Sequence, residues 1–497
     1  MNYPTAEAVQ AQTGSSPAIR TGKAWPLRVP AELTGPMLAL LVVALFAVNA
    51  LMHYPGTMNN DSITQYSQAI SGRYSDWHPP VMAWLWSWLR LANNGPGPLL
   101  LLHLALYWLG FGLLADGLRR AGHPWVAVLM ALTGAFPPFL HINATVVKDV
   151  GLVASWLAAT GLLFWFRTQR RHVPVACGLV IAALLIYGTL VRSNSVFAIG
   201  PLLLYAIGSS HWLRSRRLIA AAVVVAVLAI PATMQINRWL FNPSPMHPEQ
   251  SLFLFDLMGM AAYEAQPSLM EPSVTLTASE LQACYTPYWW DSLSSWGPCS
   301  ANVNRSAGEL VTAPQGLMRQ WASTILQHPV AYAAHRLKHF NSSLLFAVPL
   351  KHIRLILEYR TDNPARAPLE VITAKDVRLD LLRKNPLIWP VTWLVWGTFV
   401  LAFISRQNSV PTVQLAKVLI VSALGYSCAY LVIGVATDMR YHYWSIMAIF
   451  IATVLVLPML AQGIRSRSVL LLGAIGTTAL VVSIGVATRL LDFRAFV

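Results

Sequence analysis

Asp61 stands in "NNDSITQY", closely after the first strongly apolar run of the chain, and Asp76 and His78 follow in "YSDWHPP". Asn59, Asn60 and Ser62 surround Asp61 with groups that can bind and orient a carboxylate. Lys148 and Asp149 close "HINATVVKD", Arg192 lies in "VRSNS", and Arg440 and Tyr441 lie in "TDMRYHYW". The guanidinium fork suits phosphate oxygens. An ionisable group at the bilayer centre costs on the order of 2.5–3.5 kcal/mol, so such groups tend to be paired or functional. Lys148 and Asp149 are neighbours on a helix and point about 100° apart, so each is expected to find a separate partner. One arrangement puts Lys148 on a phosphate and Asp149 on a cation, a hydroxyl or an arginine. The plainer alternatives are a snorkelling pair at the interface and, for "NNDS", a helix N-cap.

The elements that must position these residues are membrane helices. The chain has 497 residues, 56% of them hydrophobic and only 11% charged, less than half the usual share of about 25%. Apolar runs of about 17–25 residues recur, long enough to cross a bilayer, and backbone in lipid must bond within its own helix. The fold class is therefore all-α and polytopic. About eleven spans are expected, at 36–52, 98–116, 124–141, 147–166, 173–190, 196–210, 218–236, 387–404, 415–435, 444–460 and 469–488. The net charge of +15 is gathered in short basic clusters between spans: Arg119 and Arg120; Arg167, Arg170 and Arg171; Arg214, Arg216 and Arg217; Arg406; Arg465 and Arg467. With the N-terminus inside, all of these fall on one side, as the positive-inside bias requires. That distribution argues for topology and anionic headgroups rather than nucleic acid. The tail before the first run, with Arg20, Lys23 and Arg28, is long for a signal peptide, so an uncleaved first helix is expected.

Four regions follow: a cytoplasmic tail at 1–35, a seven-helix membrane module at 36–236 with an outer loop at 53–97, an extracytoplasmic insert at 237–386 between spans seven and eight, and a four-helix region at 387–497. Every chemical motif named above lands on the outer side. The segment 78–97 is short for a span, and Val81, Trp84, Leu85, Trp88 and Leu89 follow helical spacing. It is expected to lie along the outer headgroup layer, which tryptophan favours. The insert contains aromatic "TASELQACYTPYWWDSLSSWGPC" and basic, amphipathic "HPVAYAAHRLKHFNSSLLFAVPLKHIRLILEYR". The latter offers an electropositive surface suited to phosphates or to lipid headgroups. Cys284 and Cys299 are 15 apart in the insert, and a disulfide is expected if it is extracytoplasmic. Cys177 and Cys428 lie in apolar runs and are expected in the core. Trp77, Trp289, Trp290 and Trp296 could stack on sugar faces, or anchor the interface. No Walker loop, dinucleotide fingerprint or zinc spacing occurs, which disfavours a nucleotide-sugar donor and ATP-driven transport.

Asp61 after the first helix, "DWHPPVMAWLW" before the second span and "DMRYHYW" before a late helix together resemble the GT-C class of membrane glycosyltransferases. The nearest branch contains protein O-mannosyltransferases and the bacterial lipid A aminoarabinose transferase. The resemblance covers mainly the first seven spans. It implies transfer of one sugar from a polyprenyl-phosphate donor to a glycan, glycolipid or protein acceptor, with inversion. Asp61 would be the general base, with Asp76 and His78 beside it. Lys148, Arg192 and Arg440 would hold the donor phosphate, supported by Asp149, Asn60 and Tyr441. The setting it implies is a bacterial inner membrane with the site facing the periplasm. A polyprenyl phosphate already leaves well, so a single base can suffice where glycoside hydrolases need two carboxylates. Many relatives carry an Asp–Glu pair in the first outer loop, whereas Asn60 precedes Asp61 here. No cofactor is assigned, and a divalent cation stays open. The rival readings are an O-antigen-type polymerase or ligase, which needs no carboxylate after the first helix, and a flippase, which would place its charges at the bilayer midplane.

Overall fold

The computed structural model describes residues 33–208, 216–303, 314–350, 384–407 and 410–491. The N-terminal tail, Arg214 and the "KHIRLILEYR" half of the basic amphipathic stretch lie outside them. Among the described residues the regular structure is helical, and the extended backbone pairs only through isolated bridges.

Five helices are long and apolar enough to cross a membrane: α1 (Gly35–His53), α4 (Gly97–Arg120), α7 (Lys148–Thr168), α16 (Pro411–Ile433) and α19 (Val469–Leu491). Two bent pairs raise the number to as many as seven. α5 (Pro124–Thr133) and α6 (Pro137–Asn143) meet at 47°, where Pro137 and Pro138 cannot continue the preceding helix. The stretch Met439–Leu455, which contains α17 (Tyr443–Leu455), meets α18 (Leu457–Arg465) at 66°. The other four expected spans fall on the shorter apolar helices α8 (Val175–Val191), α9 (Val196–Ala206) and α15 (Pro390–Ile404), and on α10 (Arg216–Phe241). Proline in the first turn starts α4, α5, α6, α15 and α16, where its missing N–H costs no helical bond.

α7 is the hub of the bundle. It packs along α4 so closely that a Cβ on Gly110 would lie 2.8 Å from the Leu157 backbone carbon, and one on Gly161 would lie 2.7 Å from the Gly110 oxygen. Small residues let helix backbones approach where lipid supplies no hydrophobic drive. α1 and α19 sit at the periphery and turn Leu40, Leu51, Val469 and Leu480 outward. Cys428 is exposed and Cys177 half-buried, so neither sits in the core as expected. The lipid-facing side of a span is as apolar as its packed side, so an apolar run does not say which side a cysteine takes.

The first outer loop folds as α2 (Asn60–Ser71) and α3 (Val81–Leu89), packed on each other. α3 buries Val81, Met82, Ala83 and Trp86 and exposes Trp84 and Trp88, so two of its three tryptophans are turned outward. The insert forms a second core from α11 (Gln250–Glu264), α12 (Ala278–Cys284), α13 (Pro314–Gln327) and α14 (Pro329–Ser343), with Leu254, Met258, Leu281, Leu317 and Ala331 inside.

Candidate active site

Two local devices set Asp61 beside the start of α7. Thr57 pairs with Thr145 as an isolated parallel bridge, donating its N–H to the Ala144 carbonyl at 2.8 Å and accepting from Val146 N–H at 2.9 Å. Asn59 then caps α2, accepting from the Ser62 N–H at 3.0 Å and hydroxyl at 2.9 Å, and Ser62 Oγ also reaches the Val146 carbonyl. Asn59 and Ser62 therefore fix the helix start rather than the Asp61 carboxylate. Asn60 is the exposed first residue of α2 and only its carbonyl is bonded, to Thr64.

Four segments distant in sequence meet here. Arg440 donates from Nη2 to Asp61 Oδ2 at 2.8 Å and from Nε to Asp438 Oδ2 at 2.5 Å. Asp438 also caps the short 3-10 turn Met439–His442 by accepting the Arg440 N–H at 3.1 Å. Arg192 Nη1 lies 2.6 Å from Asp149 Oδ1, while its Nη2 donates to Tyr430 Oη at 2.7 Å. Asn194 donates to the same hydroxyl at 2.6 Å. The Tyr441 ring lies under both guanidiniums, 4.6 Å from Arg192 and 5.3 Å from Arg440, and stacks on Tyr430. Lys148 Nζ lies 2.9 Å from His78 Nδ1, and His78 Nε2 lies 3.7 Å from Asp61 Oδ1. An ammonium only donates, so Nδ1 accepts and Nε2 carries the proton turned toward Asp61. Burial, with the Lys148 charge beside it, pushes the His78 imidazole down to about 3. It is neutral at physiological pH, and its approach to Asp61 is not an ion pair.

The cluster holds three carboxylates (Asp61, Asp149, Asp438) against three cations (Lys148, Arg192, Arg440). They differ in access: the Asp61 side chain is 26% exposed, against 2% for Asp149 and 3% for Asp438. Asp61 is therefore the carboxylate a substrate can reach. Burial raises its pKa, but the charges of Arg440 and Lys148 and the Arg440 hydrogen bond outweigh that and hold it well below the usual carboxylate range. Each carboxylate faces a guanidinium, and among the described residues no three His, Cys, Asp or Glu side chains gather as metal ligands. This donor set does not suit a divalent cation.

Asp76 does not join the cluster. Its oxygens accept from the Met246 N–H at 2.5 Å and face Arg238 at 3.4 Å, tying the first outer loop to the last turn of α10 and the segment after it. Sequence reasoning did not single out Asp438, although a carboxylate two residues before a buried arginine is a readable signal. It also passed over Tyr430, which sits inside an apolar run and carries no local mark. In the insert, Cys284 and Cys299 form a disulfide with Cα atoms 6.0 Å apart.

No curated protein and no solved structure matches the chain. A family model does. Residues 77–234 match the model of dolichyl-phosphate-mannose-protein mannosyltransferase, a stretch that runs from the residue before His78 through Lys148, Asp149 and Arg192. With the helical membrane architecture, that match supports a GT-C membrane glycosyltransferase that takes its sugar from a polyprenyl-phosphate donor.

Proposed function

We propose that the protein is an inverting glycosyltransferase that moves one sugar from a polyprenyl-phosphate donor to an acceptor hydroxyl at the outer membrane face, with Asp61 as general base. The observation that carries this reading is the pairing of the one accessible carboxylate of the cluster with Arg440, a cation suited to phosphate. In the step, the acceptor oxygen bonds to the anomeric carbon as the bond from that carbon to the phosphate oxygen breaks. The acceptor proton passes to Asp61, and the polyprenyl phosphate leaves with the electron pair. A single displacement inverts the anomeric centre.

The charge balance of the cluster suits this sequence. Protonation removes the negative charge that holds Arg440 to Asp61, so the guanidinium is released to the phosphate as the latter gains charge. Lys148, half-exposed beside His78, offers a second cation. Arg192 stays bound to Asp149 and stacked on Tyr441, which suits holding Tyr441 and Arg440 in place more than direct contact. Preorganised charges of this kind act without reorganising during the reaction. The Cys284–Cys299 disulfide suits an oxidising compartment, consistent with a periplasmic setting for the insert. A purified, reconstituted protein given synthetic polyprenyl-phosphate hexoses should release polyprenyl phosphate and yield a glycoside of inverted configuration by NMR. A retained configuration would refute the single displacement.

A further inference from the structure

Beside the charged cluster the structure builds a second feature that the transfer chemistry above leaves unused. The disulfide-closed loop between Cys284 and Cys299 is compact: Ser294 N–H donates to the Asp291 carbonyl at 3.1 Å, Gly297 N–H to the Ser294 carbonyl at 3.0 Å and Cys299 N–H to the Ser292 carbonyl at 3.0 Å. At Gly297 any Cβ would fall within 2.4 Å of two backbone oxygens, those of Asp291 and Ser292, so the loop closes there only on glycine. That closure holds Trp296 over Trp290, with ring centres 6.1 Å apart. Trp77 completes the group, 5.8 Å from Trp290 and 6.1 Å from Trp296. Trp77 and Trp290 are inclined by 43°, while Trp296 stands at 89° to Trp77 and 78° to Trp290. The three indoles form a corner rather than a stack, and Trp296 is 64% exposed although its loop is pinned.

Two short links join this corner to the cluster. Trp77 immediately precedes His78. On the other side, Trp290 N–H donates to the Val435 carbonyl at 2.9 Å and Trp289 bridges to Ala436, two residues before Asp438.

We infer that Trp77 and Trp296, packed on the buried Trp290, form an acceptor subsite for carbohydrate, so that the acceptor is a glycan or glycolipid headgroup rather than a polypeptide. A pyranose presents C–H groups on one face and hydroxyls round its rim. The negative face of an indole attracts the polarised C–H groups, and a second indole at right angles can close one edge of the ring. This inference rests on the transferase reading.

The test uses the full chain in detergent micelles with Asp61→Asn to prevent turnover, applied to a printed array of mono- to tetrasaccharides alongside serine- and threonine-containing peptides. Saccharide binding should appear, weaken about tenfold with Trp296→Ala, the loss expected of one aromatic contact, and return with Trp296→Phe. In the transfer assay, Trp296→Ala in the otherwise native chain should raise the acceptor KM about tenfold with kcat nearly unchanged. Peptide binding without saccharide binding, or saccharide binding indifferent to Trp296, would overturn the inference. So would a Trp296→Ala effect confined to liposome reconstitution, which would make the indole a membrane anchor. The two readings fail separately: an active Asp61→Asn variant refutes the base, whereas an inactive one, together with an acceptor KM that Trp296→Ala leaves unchanged in the otherwise native chain, refutes only the corner.

Discussion

Asp61 combines access with a depressed pKa, and both have consequences that kinetics can read. Asp61→Asn keeps the shape of the side chain but cannot take a proton, so kcat should fall about 10²–10⁴-fold, the usual weight of a positioned base. The melting temperature should change little, because Arg440 keeps Asp438. A variant that loses activity and stability together would make Asp61 structural. The profile of kcat/KM against pH reports the free enzyme. Since Arg440 lowers the Asp61 pKa, the wild-type acid limb should lie below the ordinary carboxylate value of about 3.9. Arg440→Gln removes the attraction, raises that pKa and moves the limb to higher pH. An unmoved limb would mean that another group titrates.

The residues that build the site were legible to different degrees. Asp61, Lys148, Arg192 and Arg440 stand out because ionisable residues are scarce in so apolar a chain, and span counting puts all four on one side. Their partners were not legible, since pairings such as Arg192 with Tyr430 link residues 238 apart. Asp76 carries the same local signals as Asp61, yet Arg238 and a loop N–H engage it. Nothing in sequence separates a carboxylate held by a neighbouring loop from one left open to substrate.

Among the elements, the insert depends on a buried charge cluster joining α11 to α14. Asp256 Oδ1 lies 2.5 Å from Arg336 Nη2 and 3.4 Å from His335 Nε2, and its Oδ2 accepts from Trp321 at 2.8 Å. Arg336 also donates to the Gly434 carbonyl at 2.6 Å, which ties the insert to the chain four residues before Asp438. Burial raises the Asp256 pKa, but His335 and Arg336 outweigh it and leave the pKa lowered. The pair therefore stabilises above the unfolded carboxylate pKa, and that contribution disappears as pH falls through the folded value. Asp256→Asn would leave Arg336 buried without its counterion and should cost about 3–5 kcal/mol, seen as a lower melting temperature in micelles. An unchanged melt would show that the cluster does not hold the insert. Of these helices only α14 was marked in the sequence, within the basic amphipathic stretch; α11 to α13 bury their apolar faces against one another and are too short to register as spans.

At the scale of the whole molecule, Lys148 and Asp149 open α7 at the site and Arg167 lies in the last turn at its other end. Arg120 bonds Asp116 and Gln169 and lies over Trp165 near the far ends of α4 and α7. A cysteine in place of exposed Arg171 should react with a membrane-impermeant maleimide only from the inner side, and one in place of exposed Ser295 only from the outer side. Labelling of both from the same side would break the topology on which the donor reading rests. The family match spans residues 77–234, whereas Asp61, Asp438 and Arg440 lie outside it, so the complete cluster exists only in the folded chain.

The most direct measurement is mass spectrometry of cell-surface glycans, glycolipids and proteins from a deletion strain complemented with wild-type or Asp61→Asn protein. The account predicts loss of one sugar mass from one acceptor, restored by wild type and not by Asp61→Asn. Full restoration by Asp61→Asn would contradict the assignment of the base. A change in glycan chain length with every repeat mass intact would contradict single-sugar transfer and favour a polymerase.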